Sequence, residues 1–216
     1  MDAIRDELGG DRVICFLCDV SKEDDVKNAV RGTAEKWGAI HVALASAGVA
    51  WAGMTLTSKG SLDMKMFRKM VEINLYGSMY TAKYAVEVMA KNKPQGLGER
   101  GVLLFVSSVA AEEAQRGQVA YGATKGALNG VVLPMARDLG KYGIRAVTIA
   151  PGTFETPIMK NNPNMDKIKK TLSAMNPMGR MGVPSEFAHF CSSIVENSYI
   201  NGVHLRIDGA TKLAHL

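Results

Sequence analysis

Short apolar runs separated by helix-length segments constrain this chain more than anything else in its sequence. The runs cover residues 13–18, 41–45, 102–106, 144–149 and 203–207, and each is rich in Val, Ile, Leu or Ala. The runs at 13–18, 41–45 and 102–106, which show no polar alternation, suit strands buried on both faces. Parallel neighbours need a crossover of a dozen or more residues, usually a helix, between one strand and the next. The pattern therefore predicts one α/β domain over 1–216, with a parallel sheet covered by helices on both faces.

The intervening segments read as those helices. Residues 1–8 look like the tail of an amphipathic helix closed by Gly9-Gly10. Ser21, with Asp24 three residues later, predicts the cap of a helix over 23–37. Phe67, Met70, Val71, Leu75, Ala82, Ala85 and Met89 recur at helical spacing and predict a long helix over about 64–91. Asn74 lies on that same stripe, and a polar amide on a buried face must find partners there. Residues 49–63 read as a loop, and Pro184 opens a helix to about Glu196. Residues 153–182, rich in Met, Asn, Pro and Lys, read as a partly helical insertion.

Several function classes recede at this level. The net charge of +5 comes from scattered Lys and Arg, which suits a solvated surface and not a nucleic-acid partner. Cys15 and Cys18 match CxxC, but three residues apart on a strand they point to opposite faces, so no metal or redox site is expected. The three cysteines suit a reducing compartment. No apolar run reaches the roughly eighteen residues of a membrane span. No charged-then-apolar leader follows Met1, so no secretory signal is expected. Gly96, Gly98 and Gly101 match GxGxxG, yet they follow a helix and precede a strand, the reverse of a phosphate-binding turn.

Chemistry concentrates between Ser108 and Lys125. Tyr121 and Lys125 lie one helical turn apart on one face. An ammonium beside a phenol favours the phenolate and would lower its pKa toward working pH. Ser108 follows the run 102–106, at a strand's carboxyl end, where open α/β sheets bind ligands. The bland alternative is an ordinary amphipathic helix carrying a Tyr and a Lys.

Ser108 followed thirteen residues later by Tyr121-x-x-x-Lys125 resembles the short-chain dehydrogenase/reductase family. Ser107-Ser108-Val109-Ala110-Ala111 and Gly117-Gln118-Val119-Ala120-Tyr121 are similar to the type II 3-hydroxyacyl-CoA dehydrogenases within it. So are Pro134-Met135-Ala136-Arg137-Asp138-Leu139 and Thr148-Ile149-Ala150-Pro151-Gly152. The resemblance implies a Rossmann-type doubly wound sheet and a catalytic set of Ser108, Tyr121, Lys125 and Asn74. Tyr121 would be the acid/base, Lys125 its electrostatic partner and a ribose binder, Ser108 the group that holds the substrate oxygen. Asn74 would hold a water in the proton relay. NAD would meet Asp19 and Val20 at its adenine, and Ser46, Ala47 and Gly48 after the strand at 41–45. Phe154 and Thr156 would meet its carboxamide, and 157–182 would form the substrate lid. Ser46 stands where the family usually carries Asn.

The implied substrate is a 3-hydroxyacyl-CoA, or a related hydroxysteroid or small alcohol. The implied assembly is a homotetramer through the helices at 64–91 and 119–141, and the implied compartment the mitochondrion. The family's first two strands and the Gly-rich turn between strand and helix have no counterpart here. In the strand order 3-2-1-4-5-6, the runs 13–18 and 41–45 become strands three and four with two places empty between them. Strand four would then be a raw apolar edge. A fragment of a longer protein is expected, since every other family feature is kept. The competing expectation is a catalytically silent chain that serves as an oligomer subunit or partner-binding module.

Overall fold

The computed structural model describes residues 2–156 and 165–212. Helix α1 (Asp2–Leu8) is followed by α2 (Glu23–Trp37), which ends where Gly38 turns left-handed and its N–H returns to Ala34 C=O at 2.7 Å. Strand β1 (Val42–Ala45) leads into a loop that carries a small hairpin of β2 (Leu56–Thr57) and β3 (Gly60–Ser61). The next helical stretch is α3 (Met64–Met70), a π-helical segment (Val71–Tyr76) and α4 (Gly77–Met89). Asp63 caps α3, its carboxylate accepting from Lys65 N–H at 2.8 Å. Strand β4 (Gly101–Val106), the short α5 (Ala110–Glu113) and the long α6 (Val119–Leu139) come next. Strand β5 (Ile144–Pro151), α7 (Met165–Ala174), α8 (Pro184–Glu196) and β6 (His204–Ile207) complete the described chain.

The four long-range strands form one parallel sheet in the order β1-β4-β5-β6. Its core follows the two-residue period of a strand. Leu103, Phe105 and Ala146 face Ala82, Ala85 and Met89 of α4 and Leu128, Val132 and Ala136 of α6. Val102, Leu104, Val147 and Ile149 face the other way, onto Ile194, Phe187 and Phe190 of α8. Residues 102–105 are each at most 2% exposed, so both faces of β4 are buried, and each full burial of a Leu or Phe is worth about 1.5–3 kcal/mol. This is the doubly wound α/β arrangement the sequence predicts.

Three local expectations need correction. Residues 13–18 are not a strand: among the described residues they pair with no other strand, and without a ladder partner an apolar run has no sheet to join. Phe16 instead lays its ring against Gly32 of α2, 2.6 Å from where a Cβ would stand, while Leu17 is 98% exposed. Ser21 does not cap α2; its hydroxyl donates to Asp19 Oδ1 at 2.7 Å, and Lys22 holds the cap position. The long helix is not uniform: the π-helical turn at 71–76 adds a residue to the turn that contains Asn74.

The expected raw edge is present, with Val42 and Leu44 of β1 42% and 44% exposed. The stretch 96–100 is a loop between α4 and β4, with Gly96 and Gly98 at positive φ, and Gly101 opens the strand. Of the lid expected at 157–182, residues 157–164 lie outside the described residues, and α7 forms the part that follows.

Candidate active site

The carboxyl end of β4 is fastened from three sides. Ser107 N–H donates to Ile149 C=O at 2.7 Å, and its hydroxyl donates to Lys125 C=O at 2.8 Å. Val109 N–H donates to Pro151 C=O at 3.1 Å. Ser108 lies between these anchors, and its hydroxyl accepts from Ala110 N–H at 3.1 Å, at the start of α5. Gly117, at φ 80°, turns the chain into α6, and its C=O accepts from Gly53 N–H at 2.8 Å. The loop after β1 is thereby docked against the start of the helix that bears Tyr121.

Tyr121 and Lys125 follow one turn apart on α6, as their spacing predicts. Lys125 is buried, donates through Nζ to Val106 C=O at 2.7 Å, and stands 5.8 Å from the centre of the Tyr121 ring. Burial without a carboxylate pulls its pKa down to about 8. The Tyr121 phenol moves up, not down: burial raises its pKa, and its hydrogen bond with Ser108 opposes that only in part. This reverses the expected direction, because desolvation outweighs an ammonium that is turned to Val106.

Asn74 is fully buried and joins this set from the π-helical turn. Its Oδ1 accepts from Val49 N–H at 2.8 Å, and its Nδ2 donates to Val49 C=O at 2.9 Å and to Thr124 Oγ1 at 3.1 Å. A Cβ at Gly48 would stand 3.2 Å from Asn74 Oδ1 and 3.5 Å from Lys125 Nζ. Gly48 therefore lies in close contact with both groups, where a side chain would crowd Asn74. Asn74, Ser108, Tyr121 and Lys125 converge at one end of the sheet, and Gly48 with them.

The remaining predicted residues fall on either side. Asp19 is exposed and holds Ser21 through its carboxylate; Val20 packs on Gly77, 2.9 Å from where a Cβ would stand. Ser46 borders a cavity of about 350 Å³ with Pro151, Gly152, Phe154, Thr156, Pro184 and Phe187. Phe154 and Phe187 meet edge to face, with ring centres 5.9 Å apart. Ala47 is exposed next to Gly48.

Three contributors escape the sequence reading. Ser107 ties the end of β4 to β5 and α6, and Thr124 links Asn74 to Tyr121 C=O, to which its hydroxyl donates at 2.9 Å. A polar residue on the buried face of α6, one before Lys125, is the signal that points to Thr124. Phe187 reads as helix core from the sequence, and nothing in its spacing ties it to Phe154. Among the described residues, no cluster of His, Cys, Asp or Glu could hold a metal, and no helix is long and apolar enough to cross a membrane.

Residues 1–211 match a family model described as enoyl-(acyl carrier protein) reductase. The chain is 41% identical over 198 residues to a 3-hydroxyacyl-CoA dehydrogenase type-2 of Bos taurus, covering 90% of this chain and 75% of that protein. It is 38% identical to the protein of the same name in Drosophila melanogaster, covering 94% and 80%. The crystal structure of a 3-hydroxyacyl-CoA dehydrogenase type-2 from Mycobacterium avium superposes with a TM-score of 0.89 at 36% identity, covering 99% of this chain and 82% of that one.

Proposed function

The chain belongs to the short-chain dehydrogenase/reductase family, and from that premise we propose that it transfers a hydride between NAD and C3 of a 3-hydroxyacyl-CoA. The observation that carries this reading is the convergence of Ser108, Tyr121, Lys125 and Asn74 beside the cavity bordered by Phe154 and Thr156.

In this reading Ser108 holds the substrate oxygen, and Tyr121 exchanges a proton with it. A phenol held above its ordinary pKa is protonated at neutral pH, so it is set as the donor for the reduction direction. Lys125 keeps its ammonium within the site through Val106 C=O. Asn74 fixes the loop at Val49 and lies against Gly48.

The residues present fit the nicotinamide-ribose half of NAD. Gly48 approaches Lys125 and Asn74 closely, and the cavity at Phe154 is wide enough for an aromatic ring. Phe154 and Thr156 would hold the carboxamide, Tyr121 and Lys125 the ribose, Ser46, Ala47 and Gly48 the wall beside them, and Asp19 and Val20 the adenine. NAD would supply the hydride chemistry, and the chain supplies orientation and the proton. The relatives' names support an acyl-CoA substrate. A homotetramer through α4 and α6 is supported by the apolar groove these helices share at Met79, Val86, Val131 and Met135. A mitochondrial location is carried over from the family resemblance.

One observation favours the second reading, a silent subunit or partner-binding module. Among the described residues no Gly-rich turn joins a strand to a helix, so the pyrophosphate has no cradle of that kind. Calorimetric titration of the 216-residue chain with NAD, followed by turnover of acetoacetyl-CoA and NADH, separates the readings. Binding with turnover supports the dehydrogenase. A folded chain that ignores NAD gives the place to the silent subunit.

A further inference from the structure

The segment that carries Ser108 and the turn that carries Phe154 leave the sheet at the ends of neighbouring strands, β4 and β5. One backbone bond joins them, from Val109 N–H to Pro151 C=O. A further connection runs through a side chain of the next strand. Arg206 of β6 donates through Nη1 to Glu113 Oε1 at 2.8 Å and Glu112 Oε2 at 3.3 Å. Its Nε and Nη2 reach Asp208 Oδ2 at 2.8 and 2.6 Å.

Two of these three acceptors lead to the site. Glu113 closes α5, the helix whose first N–H, that of Ala110, donates to the Ser108 hydroxyl. Asp208 backs directly onto Gly152: a Cβ there would stand 2.8 Å from Asp208 Cβ and 2.9 Å from its Cα. Asp208 C=O also accepts from Asn176 Nδ2 at 3.3 Å, at the stem of the segment after α7. The guanidinium therefore spans the Ser108 helix and the 151–154 turn, and its partners are largely shielded, with Glu113 and Asp208 side chains 19% and 13% exposed.

We propose that Arg206 is a positioning residue that fixes the spacing between Ser108 and the Gly152–Phe154 turn, a role that rests on the dehydrogenase reading for its catalytic consequence. Only a planar fork of donors can hold two carboxylates in two directions at once, which a lysine cannot do. Arg206 touches neither reacting partner and acts through the two segments. Transfer between two bound groups depends steeply on their separation, and a 1 Å error can cost about a hundredfold in rate.

Arg206→Met, Arg206→Lys and Glu113→Gln test this by amide hydrogen exchange and by steady-state kinetics. In Arg206→Met, exchange should rise both at 109–113 and at 152–154, and kcat should fall by about ten- to a hundredfold with the KM for NAD within about threefold. Arg206→Lys, which keeps the charge but can reach only one carboxylate, should leave kcat close to that of Arg206→Met, which loss of positive charge alone would not explain. Glu113→Gln, the milder change, should raise exchange at 109–113 even where Arg206→Met fails to fold. Exchange unchanged at either segment in a folded Arg206 variant, or kcat within about twofold of the parent, overturns the proposal. If the parent turns over no 3-hydroxyacyl-CoA, the dehydrogenase reading fails on its own, and the exchange measurement alone decides whether Arg206 sets the spacing.

Discussion

Asn74 and Val49 exchange two hydrogen bonds, N–H to Oδ1 at 2.8 Å and Nδ2 to C=O at 2.9 Å. The side-chain amide thus serves the loop after β1 as a neighbouring strand would. Because Asn74 is fully buried, truncation leaves two backbone groups and Thr124 short of a partner. Asn74→Ala should lower unfolding free energy by about 2–4 kcal/mol, read from urea midpoints. A loss below about 1 kcal/mol would mean that water replaces the amide freely.

Tyr121 and Ser108 stand together in the set, and the Ser108 hydroxyl opposes in part the rise that burial gives the phenol's pKa. Tyr121→Phe keeps the ring against Lys125 and removes only the proton that is exchanged. Turnover in the dehydrogenase assay should fall by at least about a thousandfold, with NAD affinity within about threefold of the parent. Turnover within tenfold would remove Tyr121 from the acid/base role.

The elements that were legible in the sequence are those whose residues answer to local rules. The run at 102–106 is apolar throughout because both faces are buried, and Tyr121 and Lys125 share a face because a helix turns in 3.6 residues. Pro184 opens α8 where its missing N–H costs nothing. What stayed hidden depends on neighbours remote in sequence. Residues 13–18 have strand composition, yet a strand exists only with a partner. The π-helical turn at Asn74 answers to the loop at Val49, twenty-five residues away. The rise in the Tyr121 pKa depends on where Lys125 Nζ points, which spacing alone does not say.

Val20 sits against Gly77 so closely that a Cβ would stand 2.9 Å from its Cβ and 3.0 Å from its carbonyl oxygen. Alanine is the better helix former by about 1 kcal/mol, but here the contact must give way. Gly77→Ala should destabilise the chain by about 1–2 kcal/mol net and displace Asp19-Val20. If those residues meet the adenine, NAD affinity should drop while NMR shifts around Tyr121 stay put; unchanged affinity with a displaced Val20 would take the pair out of the cofactor site.

Val42 and Leu44 leave an apolar parallel edge half open to water on β1. Such an edge invites pairing with other chains, and a charge on it opposes that. Leu44→Lys should raise the concentration at which light scattering begins by several-fold, with stability changed by less than about 0.5 kcal/mol. An unchanged onset would locate self-association elsewhere on the surface.

Lys125 makes stability depend on pH with a definite sign. Its pKa falls to about 8 in the fold from an ordinary 10.5, so between those values the unfolded chain binds more protons than the folded one. Stability from this group therefore rises with pH across that window, since burying the charged form is the cost that disappears. The gain should be about 1–2 kcal/mol between pH 8 and roughly 9.5. Tyr121, whose pKa is raised, works in the opposite direction only above pH about 10, where its unfolded form ionises first. Comparing urea midpoints of the parent and Lys125→Met across that window isolates the effect, because the variant has no ammonium to neutralise. Parallel curves for the two proteins would mean that Lys125 stays charged in the folded chain, and that its bond to Val106 C=O compensates for burial.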